Sequence, residues 1–437
     1  MPRIAMVCDF FYPRIGGVEN HIYSLSQNLI RLGHKVIIVT HAYGNRKGVR
    51  YLPGPLKVYY CPILPMTDQD VMPTFLATFP LLRHIFIRER IDIVHAHQAT
   101  STMANESIVY AAALGVASVY TDHSLFGFDD LASTILNRVL QTTLSTVDAA
   151  IGVSHVCRDN LILRARLDPN RVFVIPNAVD PSKFSPDPSQ RRRDRVTIVV
   201  ISRLVYRKGI DLLVGIIPKV CRELKHVHFL VGGDGPKLLD LQEMVERERL
   251  QERVEFLGSV PHANVRNVLV RGDIFLNCSL TESFCIAILE AACCGLLVVS
   301  TNVGGVPEVL PVDMIMLSNP TVVSMVNCVR KAVQVDRTDA VAYEQHQRIR
   351  DVYSWERVAE ETILVYEKVL CQPRRGFLER MSCYQSLNGI TGFVVCCLAL
   401  IVEAWVRIVE RWQPFHQIDK VPDLNTRIQS NGVQHLN

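Results

Sequence analysis

Short apolar runs rich in Val and Ile alternate along this chain with longer stretches whose apolar positions recur at helical spacing. The first round opens with RIAMVCDF (residues 3–10), a strand by its continuous apolar character. It turns at Gly16 and Gly17 and continues in a helical pattern from about Val18 to Leu32. KVIIVTHA reads as the next strand. After a looser stretch come IDIVHAH as a strand, 102–114 as a helix, ASVYTDH as a strand, 130–146 as a helix and AAIGVS as a strand. Apolar strands separated by helices of this length predict a parallel sheet covered on both faces. The alternation stops at VIPNAVDPSKFSPDPSQRRRDR, where prolines and a burst of charge read as a linker. It restarts with VTIVVISRL, VHFLVGG, RVEFLGSV, IFLNCS and LLVVSTN. The expected architecture is therefore α/β, with two doubly wound, Rossmann-like units at 1–180 and 196–338, joined by a linker at 181–195. Two such units leave a cleft where the carboxyl ends of both sheets converge, and ligands bind there.

Beyond the second unit, residues 339–372 read as amphipathic helices. The segment 381–402, MSCYQSLNGITGFVVCCLALIV, carries no charge and is long enough to cross a bilayer core of about 30 Å. It is expected to be a membrane helix, followed by a polar tail at 403–437. MPRIAMVCDFFYP has no cleavable signal, so the simplest topology leaves the first 380 residues in the cytosol and the tail in the lumen. Arg374, Arg375 and Arg380 on one side and Arg407 and Arg411 on the other decide little about orientation.

Composition narrows the picture by exclusion. A hydrophobic content of 49% excludes wholesale disorder, and a net charge of +4 leaves no footprint for nucleic acid. The basic residues bunch only at Arg191–Arg193 and Arg374–Arg375, which read as solvated patches. Thirteen cysteines, none in a Cys-x-x-Cys pair, read as reduced thiols with neither a disulfide frame nor a zinc site. The sequons at Asn105 and Asn277 are expected to be unused in a cytosolic chain.

Candidate chemistry gathers at the strand ends. In ISRLVYRKGIDLL, Arg203 and Lys208 lie between a strand and a helix start, where two cations and a helix N-terminus suit an anion such as a diphosphate. A solvated basic loop is the plain alternative. In SLTESFCIAILEAACCGLLVVS, Glu282 precedes a helix and Glu290 lies about two turns along it. Free N–H groups around Ser283, Phe284 and Cys285 favour an anion at that mouth. Alone, these carboxylates read equally as a helix cap and a buried ion pair. TNVGGVPEVL adds a Gly-Gly turn at Gly304 and Gly305 with Glu308 beyond it. YTDHSLFGF places His123 past a strand end, and Gly16 and Gly17 offer backbone for close approach. Asp68 and Asp70 in DQD have metal-ligand spacing, but no strand runs into them. GGDGPK at 232–237 lacks the full dinucleotide fingerprint.

Glu282 and Glu290, with seven residues between them, together with Arg203, Lys208, GGVE and GGVPE, resemble a known signature. It belongs to the retaining, nucleotide-sugar-dependent glycosyltransferases with two Rossmann domains (the GT-B fold, glycosyltransferase family 4). The resemblance covers residues 1 to about 370. HAYGNRKGVRY, TDHSLFGF, VIPNAVDP and SRLVYRKGIDLL are similar to the members that begin glycosylphosphatidylinositol (GPI) anchor synthesis on the cytosolic face of the endoplasmic reticulum. The resemblance implies UDP-GlcNAc as donor, phosphatidylinositol as acceptor, a membrane location, companion subunits, and no metal or other cofactor. It implies Arg203 and Lys208 on the diphosphate, Glu290 on the ribose, and Glu282 on the sugar hydroxyls with backbone around Phe284 and Cys285. The uracil would lie against Val254 to Leu257, and Gly16, Gly17, Gly304 and Gly305 would line the donor site. His123 would contact the sugar near the reacting carbon. Attack on the face from which UDP leaves would retain configuration without a carboxylate nucleophile. Gly389, Gly392, Glu403 and the polar last 25 residues depart from the pattern. Two alternatives stand beside this reading: a GT-B enzyme with another sugar nucleotide and lipid acceptor, such as a mannosyltransferase, and a non-catalytic scaffold.

Overall fold

The computed structural model describes residues 1–14, 16–67, 69–128, 130–336, 338–387 and 389–422. Eight strands of the first unit form one sheet, in the order Val172–Val174, Ala149–Gly152, Ala117–Asp122, Ile93–His97, Arg3–Val7, Lys35–His41, Leu56–Cys61, Gly48–Leu52. Neighbours are parallel except the last pair, where the exposed strand Gly48–Leu52 returns antiparallel at the edge. The central strands are buried along their length, because helices cover both faces. On one face, Ile22, Leu25 and Leu29 of the helix Gly17–Arg31 pack on Ile4 and Met6. On the other, Phe79, Leu82 and Phe86 of the helix Phe79–Arg88 pack with Met103 and Tyr110 of Thr102–Leu114.

The second unit is a six-stranded, all-parallel sheet in the order Val254–Gly258, Val227–Gly232, Val196–Ile201, Ile274–Asn277, Leu297–Thr301, Ile315–Ser318. Counted along the chain, this is the doubly wound order 3-2-1-4-5-6, whose switch point falls between Val196–Ile201 and Ile274–Asn277. In the first unit the strand order likewise reverses at Arg3–Val7, beside Ile93–His97.

The helices after the second sheet divide between the units. Asp339–Val352 packs on the helix Ile286–Cys293, with Gln345 Nε2 donating to the Ala292 carbonyl at 3.0 Å. Trp355–Leu370 crosses back onto the first unit. Its Trp355, Val358 and Tyr366 enter the first unit's core, and Tyr366 shares a 2.6 Å hydrogen bond with buried His95.

The apolar run expected as one helix over 381–402 is divided. Residues up to Gln385 belong to the helix Phe377–Gln385, and a second helix, Gly389–Trp412, begins at Gly389 with φ +59. The break falls where Gln385 and Ser386 interrupt the apolar sequence and a glycine can take the left-handed turn. Gly389–Trp412 is long and apolar enough to cross a membrane by length and composition, with a mean hydropathy of 2.2 over its most apolar window. Residues 403–422 are not a free polar tail, because the helix runs on to Trp412 and docks on the first unit. Trp405 Nε1 donates to the Leu76 carbonyl at 3.2 Å, Arg83 pairs with Glu410, and the Val421 N–H donates to the Arg88 carbonyl at 2.9 Å. Residues 423–437 of the expected tail lie outside the described residues, as does Asp68.

Candidate active site

The switch point of the second sheet sends two loops into the cleft. The loop after Val196–Ile201 carries Arg203, which is exposed, and then a 3-10 turn, Tyr206–Lys208, that delivers Lys208 to the start of the helix Ile210–Glu223. The loop after Ile274–Asn277 carries Glu282. The two are stitched by the Leu280 N–H donating to the Arg207 carbonyl at 2.9 Å. The Lys208 ammonium pairs with Glu282 Oε1, and the Ser279 hydroxyl donates to the same oxygen at 2.8 Å. Burial is the largest single influence on Lys208 and pushes it toward neutrality, but the Glu282 charge and hydrogen bond together with Cys285 outweigh it and hold the ammonium above its ordinary pKa. GGDGPK buttresses the Arg203 loop from behind: Leu204 N–H donates to the Asp234 carbonyl and Lys237 N–H to the Leu204 carbonyl.

Glu282 precedes the helix as expected, but Glu290 lies nearer the helix start than the two turns expected. Cys285 adopts a left-handed conformation (φ 66) that turns the chain, and the helix starts only at Ile286. Glu290 therefore stands about one turn into it. A non-glycine residue held in this region is a strained element of the kind that collects at functional sites. Glu290 is buried, and its Oε1 lies 2.8 Å from His262 Nε2. That hydrogen bond raises the His262 pKa above its ordinary value. His262 is not among the sequence candidates; 28 residues separate the pair, and no local spacing announces it. The Phe284 side chain is 2% exposed and belongs to the core, which leaves only its backbone for a ligand. Val254 is buried and Leu257 half-buried on the strand that flanks the cleft's second unit.

Gly304 and Gly305 press against the Glu282 loop. The Gly305 N–H donates to the Glu282 carbonyl at 2.9 Å, and a Cβ on Gly305 would stand 2.6 Å from Ser154 Oγ of the first unit. These glycines permit three segments to meet: Ser154 Oγ donates to the Ser283 carbonyl at 2.7 Å, and Ser283 Oγ to the His123 carbonyl at 2.5 Å. Glu308, just beyond, accepts from the His155 and Val156 N–H groups at 2.6 and 3.0 Å. It thereby caps a helix of the opposite unit and clasps the two together.

On the first unit, His123 follows the strand Ala117–Asp122 and joins two histidines that the sequence does not single out. His97 Nδ1 lies 3.3 Å from His123 Nε2, and the His21 ring stands edge-on to His123 with centroids 4.6 Å apart. His21 Nδ1 is anchored 2.7 Å from Asn177 Oδ1. Burial keeps the cluster neutral: His21 is lowered to about 4, and His97 and His123 fall well below the ordinary value. Their ligating nitrogens lie within 4.8 Å of one another, a spacing a metal ion could also use. The hydrogen bonds to Asn177 and between His97 and His123 account for part of that nitrogen set.

Gly16 precedes the helix Gly17–Arg31, which begins without a side-chain cap, as do Ile210–Glu223 and Ile286–Cys293. Uncapped N–H groups at strand-to-helix turns favour an anion. Buried Glu19, in the first turn after Gly17, has its pKa raised by burial; Arg14 and, from the second unit, Arg203 partly offset this. The two switch points thus face each other, with the Glu19 carboxylate and neutral imidazoles on the first unit opposite Arg203 and Lys208 on the second.

Residues 41–130 match the family described as PIGA (GPI anchor biosynthesis), and residues 182–313 match glycosyl transferases group 1. A phosphatidylinositol N-acetylglucosaminyltransferase subunit of Arabidopsis thaliana is 52% identical to this chain over 422 residues, which cover 97% of the chain and 94% of the relative. The Homo sapiens protein of the same name is 51% identical over 401 residues, covering 91% and 83%. Among solved structures, sucrose-phosphate synthase from Thermosynechococcus elongatus superimposes with a TM-score of 0.71 at 17% identity, covering 84% of this chain and 99% of the other. The fold is the expected GT-B fold of glycosyltransferases.

Proposed function

The chain belongs to the PIGA (GPI anchor biosynthesis) family of glycosyltransferases, and on that premise we propose that it transfers N-acetylglucosamine from UDP-GlcNAc to phosphatidylinositol with retention of configuration. The observation that carries the reading is Lys208 seated on Glu282 at the switch point of the second unit, facing a neutral histidine cluster on the first.

In this reading the donor diphosphate sits where Arg203, Lys208 and the uncapped helix N-termini converge. Charge that grows on the leaving UDP is met by preorganised cations and N–H groups, without a metal. Glu290, held by His262, takes the ribose hydroxyls, and the uracil lies along Val254 to Leu257. Glu282 takes sugar hydroxyls while sharing Lys208 with the phosphate. His123, neutral, serves as a hydrogen-bonding partner near the anomeric carbon; it does not act as a cation. The acceptor hydroxyl approaches from the first unit on the face UDP vacates, and its proton passes to the departing phosphate oxygen. Gly16, Gly17, Gly304 and Gly305 set the closeness of the walls. The protein works in the endoplasmic reticulum membrane, with both units on the cytosolic side, inside a multi-subunit transferase that starts GPI-anchor synthesis.

The test supplies labelled UDP-GlcNAc or GDP-mannose to membranes of cells that lack surface GPI-anchored proteins and express this chain. Labelled glycolipid from UDP-GlcNAc alone, with restored surface display, is the expected result. Product only from GDP-mannose, or none with either donor, would overturn it.

A further inference from the structure

A glutamate three residues after a helix cap can turn back on the helix start, where its charge meets N–H groups that no carbonyl of the helix satisfies. Glu19 holds that position after Gly16. Its carboxylate lies against the Gly16 α-carbon: a Cβ there would collide with Glu19 Oε2 and stand 3.1 Å from the carboxyl carbon. The same carboxylate accepts a hydrogen bond from the Glu19 N–H in the first turn. A carboxylate serving only as a cap can stay in water, yet this side chain is 6% exposed. The helix start it covers faces the second unit. A Cβ on Gly17 would stand 3.8 Å from Ile286 Cδ1, at the head of the helix that follows Glu282. Arg14 Nε is 3.9 Å from Glu19 Oε1, and Arg203 acts on the carboxylate from the second unit. Glu19 thus has the surroundings of a bound anion, with one helix N-terminus and a cation from each side. In the reading above, the donor diphosphate converges on this same helix end. Two anions cannot both occupy it without strong mutual repulsion.

We propose that Glu19 is a placeholder for the donor's phosphates: its carboxylate covers the first unit's helix N-terminus until a nucleotide diphosphate enters and displaces it toward Arg14. The inference rests on the donor site proposed above and adds a competitor built into that site. Displacement weakens diphosphate binding, because part of what the phosphates gain replaces contacts that Glu19 already made. It also speeds the departure of UDP after transfer, since the carboxylate can return to the helix end as the phosphates leave. Glu19 in this role is a positioning residue that tunes product release and takes no part in bond making.

The test titrates UDP into the full chain with its companion subunits in detergent, for the wild type, Glu19→Gln and Glu243→Gln. Glutamine keeps the shape of Glu19 and removes its charge. Glu243, exposed on the helix Leu238–Arg247, changes the net charge equally as a control. Glu19→Gln is expected to tighten UDP binding about five- to tenfold, the effect of removing one like charge a few ångströms from the phosphates in a partly solvated cleft. UDP should leave this variant more slowly by a similar factor, and Glu243→Gln should match the wild type. Unchanged or weaker UDP binding by folded Glu19→Gln would overturn the placeholder and leave the donor site standing. A wild type that binds no UDP would overturn the donor site and this inference with it. If Glu19→Gln does not fold, electron cryomicroscopy of the wild type with and without UDP decides. The carboxylate is expected to leave Gly16 when UDP is bound, and one that stays there beside bound UDP would overturn the proposal.

Discussion

Lys208→Met separates the catalytic reading of the Lys208–Glu282 pair from a structural one. Methionine keeps the length of the side chain and removes its charge. In the folded protein the Lys208 side chain is 25% exposed and that of Glu282 12%, and Glu282 Oε1 keeps the Ser279 hydroxyl as a partner at 2.8 Å. The stability cost should therefore be modest, about 1–2 kcal/mol after allowing for solvent screening, or a fall in Tm of roughly 1–2 °C for a chain of 437 residues. The catalytic cost is larger. Removing one preorganised charge from a site where negative charge develops typically lowers kcat by about 10²–10³, or roughly 3–4 kcal/mol. The assay is transfer from labelled UDP-GlcNAc at saturating lipid, normalised to folded protein, with thermal unfolding measured on the same preparation. The double variant Lys208→Met/Glu282→Gln removes the buried carboxylate charge as well, and should recover most of the lost Tm while transfer stays low. If transfer recovers together with Tm, or if kcat per folded molecule falls less than tenfold, the lysine is a structural ion-pair member and the diphosphate assignment is wrong.

The buried histidines make stability depend on acid. His21 is lowered to about 4 in the fold, from about 6.5 when exposed, so the fold favours its neutral form. Its contribution is complete above pH 6.5 and is lost as pH falls toward 4, amounting to about 2 kcal/mol between pH 7 and pH 5. Urea midpoints at the two pH values should differ accordingly, and His21→Gln should flatten the dependence; an equal slope in the variant would remove His21 as its source. Gly305→Ala puts a Cβ 2.6 Å from Ser154 Oγ, so it should cost about 1–3 kcal/mol by overpacking and depress transfer by displacing the Glu282 loop. Gly127→Ala, where the nearest atom is 3.8 Å away, should do neither, and matching behaviour of the two variants in thermal unfolding and transfer would refute the close-approach role.

Strands such as Ile93–His97 and Leu297–Thr301 were legible because they are buried on both faces, and that burial writes an unbroken apolar run into the sequence. Gly48–Leu52 was not, since an exposed edge strand has no such constraint. Val172–Val174 and Ile315–Ser318 were too short to stand out beside a linker and a loop. At the site, Arg203, Lys208 and the two glutamates sit beside strand ends and could be found by position. The partners that hold them could not. His262 beside Glu290, Asn177 beside His21 and His97 beside His123 are pairings made by tertiary folding, across 28, 156 and 26 residues. The C-terminal segment was legible as an apolar helix long enough to cross a membrane, but its start was not: a hydropathy count registers total apolar length, and the turn that moves the helix start from 381 to Gly389 does not lower it.

The helix Trp355–Leu370 has a consequence for how the protein is made. The last strand of the first sheet ends at Val174, yet its core is not complete until Trp355, Val358 and Tyr366 arrive, roughly 200 residues later. At translation rates of about 5–20 residues per second, the first half of the protein waits roughly 10–40 s on the ribosome with one apolar face uncovered. During that interval the second sheet, whose strands are contiguous in the chain, can finish first. Nascent chains halted between residues 180 and 350 should be those that chaperones hold longest.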